Sequence, residues 1–298
     1  MIDILKKEAA GAVIKVIGGR CAINHLIEQN IPGVEFIAME TDSLALSLSK
    51  ASTRLHIGDT TPQDLRAGVQ PSVGKPSAGD DREQIKSAIR GADLIFIAVA
   101  IEGDTGTIVA KIARELGILT VAVVAKPLAE EGNHVWYADE NIKALYEQVD
   151  SLITLPETVN AFNVELQRAI TGIVQAIKVP GLINIDIADL CTIMSKSGMA
   201  VTGSAIASGQ DRAKLAAEKV VANLLLEDKD ISGALGMLVT ITSSSGLKLK
   251  ELDIVLKCVA SAAKKATAIV GSVFDEKMGN ELRVTLLATG LGAPLECY

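Results

Sequence analysis

The chain has 298 residues, a formal net charge of −7, 49% apolar residues and only 3% aromatics. That length suits two domains of ordinary size, with cores built from Ala, Val, Ile and Leu. The acidic balance excludes a nucleic-acid binder, which needs a basic face, and the longest apolar runs are strand-length, short of the roughly 18–20 residues that span a bilayer.

The first half alternates between two periods. Ala12–Gly18 (AVIKVIG) reads as a buried strand and Ala22–Asn30 as an amphipathic helix. Val34–Glu40 is a second strand, and Gly79–Gly91 a helix closed by its glycine. There follow a strand (Ala92–Ala100), a helix (Ile108–Leu116), a strand (Leu119–Ala125), a helix (Asp139–Val149) and a strand stopped by proline (Asp150–Pro156). Near-continuous apolar strands alternating with helices predict a parallel sheet covered on both faces. Glu157–Lys178 keeps helical spacing with no breaker before Pro180, so it predicts one long linking helix. Asn184–Ala200 opens a second unit. Its helices are Asp211–Glu227 and Leu249–Ala263; its strands are Gly236–Ser244, Ala266–Glu276 and Leu282–Leu291. The expected fold is α/β: an N-terminal domain over 1–156, a linking helix over 157–179 and a smaller domain on a mixed sheet over 180–298.

Cys21, Cys191, Cys258 and Cys297 lie far apart with no CxxC, and His25, His56 and His134 are scattered too. Reduced thiols in a cytoplasm and no metal site are the expectation. The start, MIDILKKEAAGAVIKVIG, lacks the layout of a signal peptide.

Three loops fall at carboxyl ends of first-domain strands, where open α/β sheets bind ligands. GGRCAIN (Gly18–Asn24) fits a tight strand-to-helix turn or a phosphate site, but it is neither GxGxxG nor a P-loop. In METDSLAL (Met39–Leu46), Thr41 and Asp42 suit a ligand or the cap of a following helix. In IEGDTGT (Ile101–Thr107), Thr105, Gly106 and Thr107 could give amides and hydroxyls to a phosphate, or Asp104 or Thr105 could cap the next helix. In NIDIAD, Asp186 and Asp189 stand three apart at a predicted helix start, which points both carboxylates to one side. They could cap that helix or, with Asn184 and a nearby Mg²⁺, polarise a water for phosphoryl transfer.

These pieces occur in a recognisable order. IKVIG, VEFIAMETDSLALSLSKA, REQIKSAIRGADLIFIAVA, LTVAVVAKP, VDSLITLP, PGLINIDIADL, LLEDKDISGALGMLVTIT and ELRVTLLATGL closely resemble the FtsZ family, the bacterial tubulin homologues of the division ring. The resemblance runs from about Ala12 to Leu291. It implies a tubulin/FtsZ-type two-domain fold, a Rossmann-like N-terminal domain that binds GTP or GDP with Mg²⁺, and head-to-tail stacking of subunits. It also implies that Asn184, Asp186 and Asp189 act in trans on the next subunit's nucleotide. By the same resemblance Thr41 and Asp42 match the ribose-side loop, and Ala67 and Gly68 partly match the γ-phosphate loop. Partners would be the chain itself and other division proteins, with no nucleic acid and no membrane insertion. The family continues into a linker and an adaptor-binding peptide, whereas this chain ends ATGLGAPLECY, so direct recruitment by such adaptors is not expected.

The departures lie in the nucleotide pocket. The family's first loop is a glycine run; here it is shorter and carries Arg20 between Gly19 and Cys21. The family's GGGTGTG becomes Glu102, Gly103, Asp104, Thr105, Gly106 and Thr107, and its Asn-Thr-Asp becomes Glu40-Thr41-Asp42. Glu157 or Asn160 falls where an acid reads the guanine edge. One carboxylate about 5 Å from a phosphate charge costs roughly 3 kcal/mol at an effective dielectric near 20. Arg20 could offset that charge, or pair with Glu102 or Asp104 and fill the pocket itself. Three readings follow: a filament protein with weak or lost GTP binding and hydrolysis, an active GTPase with an altered pocket, and a non-polymerising regulator of FtsZ filaments.

Overall fold

The computed structural model describes residues 11–58, 80–99, 105–126, 141–156, 159–195, 198–226 and 230–292. Among them, ten strands form one sheet in the order β3-β2-β1-β4-β5-β6-β7-β10-β8-β9. β1 (Ile14–Gly18), β2 (Val34–Glu40), β3 (Thr53–His56), β4 (Leu94–Val99), β5 (Leu119–Lys126) and β6 (Ser151–Pro156) are parallel. The first half is thus the parallel α/β sheet expected from the alternation of apolar strands and helices.

The covering helices of the first half are α1 (Arg20–Glu28), α2 (Ser43–Ser47), α3 (Asp80–Ile89) and α4 (Thr105–Glu115), and residues 141–146 are also helical. β1 shows why the strand runs are apolar throughout. Ile14 and Val16 enter a core shared with α1 and the long helix, while Ile17 enters the opposite core with Ile85, Ile89, Val109 and Ile112 of α3 and α4. A strand buried on both faces has no polar side to alternate.

The long helix is α5 (Val159–Lys178). Its Leu166, Ala169, Ile170, Ile173 and Val174 are buried in the same core as Val16 and Val121 on one side and Leu238 and Leu287 on the other. α6 (Ile187–Met194), β7 (Gly198–Ser208), α7 (Arg212–Leu226), β8 (Gly236–Ser243), α8 (Leu249–Ala262), β9 (Thr267–Phe274) and β10 (Glu281–Thr289) complete the fold. The second half is a mixed sheet: β10 runs antiparallel to β7 and β8, and β8 parallel to β9.

Two strands are absent from the expected elements. β7 is built largely of small residues, Gly-Met-Ala-Val-Thr-Gly-Ser-Ala-Ile-Ala-Ser. A Cβ at its Gly203 would lie 2.9 Å from Leu224 Cδ2, so α7 requires that smallness and removes the apolar signal. β3 has four residues, of which only Leu55 is buried, too short to show a period. β7 also joins the halves, pairing with β6 on one side and β10 on the other.

Candidate functional site

β2, β1 and β4 are neighbours in register, with Gly18 opposite both Ala38 and Ala98. Their carboxyl ends therefore deliver the three candidate loops side by side. The first is the tight turn. β1 ends at Gly18, Gly19 is the N-cap, and α1 starts at Arg20, two residues before the expected start at Ala22. A Cβ on Gly18 would lie 2.3 Å from Ala98 O, so strand contact alone requires this glycine. Gly19 offers no side-chain cap. Instead the Arg20 N–H donates to Glu40 Oε1 at 2.6 Å, so a carboxylate from the end of β2 serves an orphan donor of α1. Arg20 Nε is buried without a hydrogen-bond partner. No ion pair of Arg20 is found among the described residues, and Glu102 and Asp104 lie outside them.

In the second loop Asp42 is the N-cap of α2, its Oδ1 accepting from the Leu44 N–H at 2.8 Å. The Thr41 carbonyl lies 3.1 Å from His56 Nε2 of β3. Both residues are exposed. Ala67 and Gly68 lie outside the described residues, as do Gly103 and Glu157, and Asn160 is described only as part of α5.

The third loop differs from its expected form. Thr105, Gly106 and Thr107 are not a loop before a helix at Ile108; they are the first turn of α4. First-turn N–H groups have no intrahelical acceptor in any case, and Gly106 is buried. A Thr-Gly-Thr run therefore loses little by being helical there. Those orphan N–H groups remain the feature in this loop that suits an anion.

The acidic loop forms a reciprocal cap on α6. Asp186 Oδ1 accepts from the Asp189 N–H at 2.7 Å, and Asp189 Oδ2 from the Asp186 N–H at 3.3 Å. Asn184 Oδ1 accepts from the Gly181 N–H at 2.9 Å. The loop is strapped to β9: the Ile183 N–H donates to Ser272 Oγ and the Ser272 N–H to the Ile183 carbonyl, both at 2.9 Å. Ile185 is buried against Gly271, where a Cβ would lie 2.4 Å from Ile185 Cδ1. Asp186 Oδ2 and Asp189 Oδ1 stay outside the cap, and Leu182 and Ile183 are exposed beside them, at 47% and 39%. The adjacent Cys191 thiol is pushed up, first by burial and then by Asp150 and Asp186, which makes it a poor nucleophile.

The two sets of residues sit at opposite ends. α5 starts just beyond the carboxyl end of β6 and ends where Lys178 Nζ donates to the Ala12 carbonyl, beside Gly33, at the amino ends of β1 and β2. Its 20 residues span about 30 Å. Within one chain Gly18, Gly19, Arg20, Thr41, Asp42 and Thr105 gather at one end, and Asn184, Asp186 and Asp189 lie at the other.

The sequence marks Glu40 as a departure in the pocket but does not reveal its bond to the Arg20 N–H. An acid closing a strand beside the strand that feeds α1 was the available signal, but the reach to Arg20 depends on sheet order.

Residues 12–159 match the Tubulin/FtsZ family, GTPase domain, and residues 198–292 match the FtsZ family, C-terminal domain. The cell division protein FtsZ of Coxiella burnetii is 44% identical over 318 residues, covering 98% of this chain and 82% of that protein. FtsZ of Pseudomonas aeruginosa is 44% identical over 321 residues, covering 99% and 82%. Both spans exceed the 298 residues of this chain, so within the match this chain is the shorter one. An empty FtsZ dimer of M. jannaschii is 33% identical with a TM-score of 0.81, covering 97% of this chain and 92% of that one. The GTPγS-bound protofilament of CetZ2 from Haloferax volcanii, at 17% identity and a TM-score of 0.69 over 95% and 93%, shares the fold.

Proposed function

Because the chain belongs to the FtsZ family, we propose that it stacks head to tail into filaments related to bacterial cell division, with weakened GTP binding and hydrolysis. The placement of candidate pocket and acidic loop at opposite ends of α5 carries this reading. They can meet only between two copies, so a site that uses both is completed by assembly. Exposed Leu182 and Ile183 give the acidic end an apolar rim for that contact.

The weakening is argued from the first loop. A loop that wraps phosphates presents several consecutive backbone N–H groups free of side chains. One residue separates β1 from α1, and a carboxylate stands at the helix start. The described residues therefore do not fit a triphosphate in the family's way. The active-GTPase reading draws on α4, whose first turn keeps orphan N–H groups, and on the acidic loop. There the cap holds both carboxylates in fixed positions, each with one oxygen outside it to orient a water and accept its proton.

Sedimentation and electron microscopy of the purified chain test both parts. Filaments in nucleotide-free buffer, little changed by GTP and lost in Leu182→Glu, are the expected result. Phosphate release that rises steeply with protein concentration and drops in Asp189→Ala would instead establish the active GTPase. A monomer at every concentration would overturn the filament reading.

A further inference from the structure

Three features meet at the start of α1. Glu40, the last residue of β2, places Oε1 at 2.6 Å from the Arg20 N–H, a short charge-assisted bond. Gly19 stands directly beneath, and a Cβ there would lie 3.4 Å from the same Oε1. Arg20 Nε is buried without an acceptor, and the bond from Glu40 goes to the Arg20 main chain. We propose that the Glu40 carboxylate is a built-in occupant of the anion position at α1, and that it sets this chain's discrimination against nucleoside phosphates. The inference rests on the weakened-binding reading and assigns it to a residue.

A helix start attracts an anion through its orphan N–H groups and its dipole. Glu40 meets that attraction from within the chain. It is tethered to β2, so its effective concentration there is high and never diluted. A phosphate arriving at α1 must either displace the carboxylate or sit beside a like charge; both reduce affinity. A neutral nucleoside meets neither obstacle. With Glu40 neutral, a phosphate at the α1 amide meets no like charge, and Arg20 keeps a positive charge on the same residue as that amide.

Isothermal titration of the full chain with GTP, GDP and guanosine, each with Mg²⁺, tests this directly. Glu40→Gln keeps a side-chain oxygen for the Arg20 N–H and removes the charge; Glu40→Ala removes both and serves if the first variant folds poorly. Glu281→Gln, on β10 and six strands from β2 in the sheet, is the charge control. GTP and GDP should bind Glu40→Gln at least roughly tenfold more tightly than wild type, with guanosine unchanged and the control equal to wild type. Equal GTP affinity in wild type and both Glu40 variants overturns the proposal, as does an equal gain in Glu281→Gln or for guanosine. Weak binding in all variants removes the proposal and leaves weakened binding intact. Micromolar binding in wild type with a further tenfold gain in Glu40→Gln removes weakened binding and upholds the proposal.

Discussion

A methyl group added at Gly18 would sit 2.3 Å from Ala98 O, inside any real Cβ contact. β4 is held between β1 and β5 and cannot withdraw. Gly18→Ala should therefore cost about 2 kcal/mol or more in urea unfolding, in the range of overpacked cores. Gly19→Ala should cost far less, within about 0.5 kcal/mol, because its φ of −65° suits any residue and only Glu40 Oε1 lies near. The second glycine of GGRCAIN was legible as a turn residue. The cause of the first was not, because its obstacle comes from a strand 80 residues away in the chain.

At the scale of elements, the acidic loop is a helix start before it is anything else. Asp186→Ala removes the acceptor for the Asp189 N–H and should lower stability by about 1–2 kcal/mol in thermal unfolding. Asp186→Asn keeps an acceptor oxygen and should stay within about 0.5 kcal/mol of wild type. That pair separates capping from any role of the charge in trans. This cap was readable from the spacing of Asp186 and Asp189 because a capping box is local. The first turn of α4 was not, because Thr-Gly-Thr has poor helix propensity, although a first turn loses little by it and Gly106 is buried there. Neither was β7, whose side chains are small because α7 lies on them.

Across the whole molecule, one sheet runs through both halves by way of β7, and the helices of the second half are tied to each other by a half-buried pair. Arg212 Nε and Nη2 donate to Glu251 at 2.7 and 3.1 Å, linking α7 to α8. The Arg212 guanidinium holds the Glu251 carboxyl below the ordinary carboxylate range. A depressed pKa contributes stability above the unfolded value of about 4.3 and loses it as pH falls through the folded value. Glu251→Gln should thus cost about 2 kcal/mol near neutral pH, and its thermal midpoint should approach that of wild type as pH falls through the depressed folded value. The family resemblance, the order of the longer strands and helices, the long α5 and a candidate cap at Asp186 followed from the sequence alone. Periodicity, caps and motif order are properties of short windows and of succession. The adjacency of Glu40 to Arg20, the separation of the two loop sets along α5 and the union of the halves through β7 were decided by tertiary structure. Each depends on which strand lies beside which, and that is set by burying the faces of all ten strands at once.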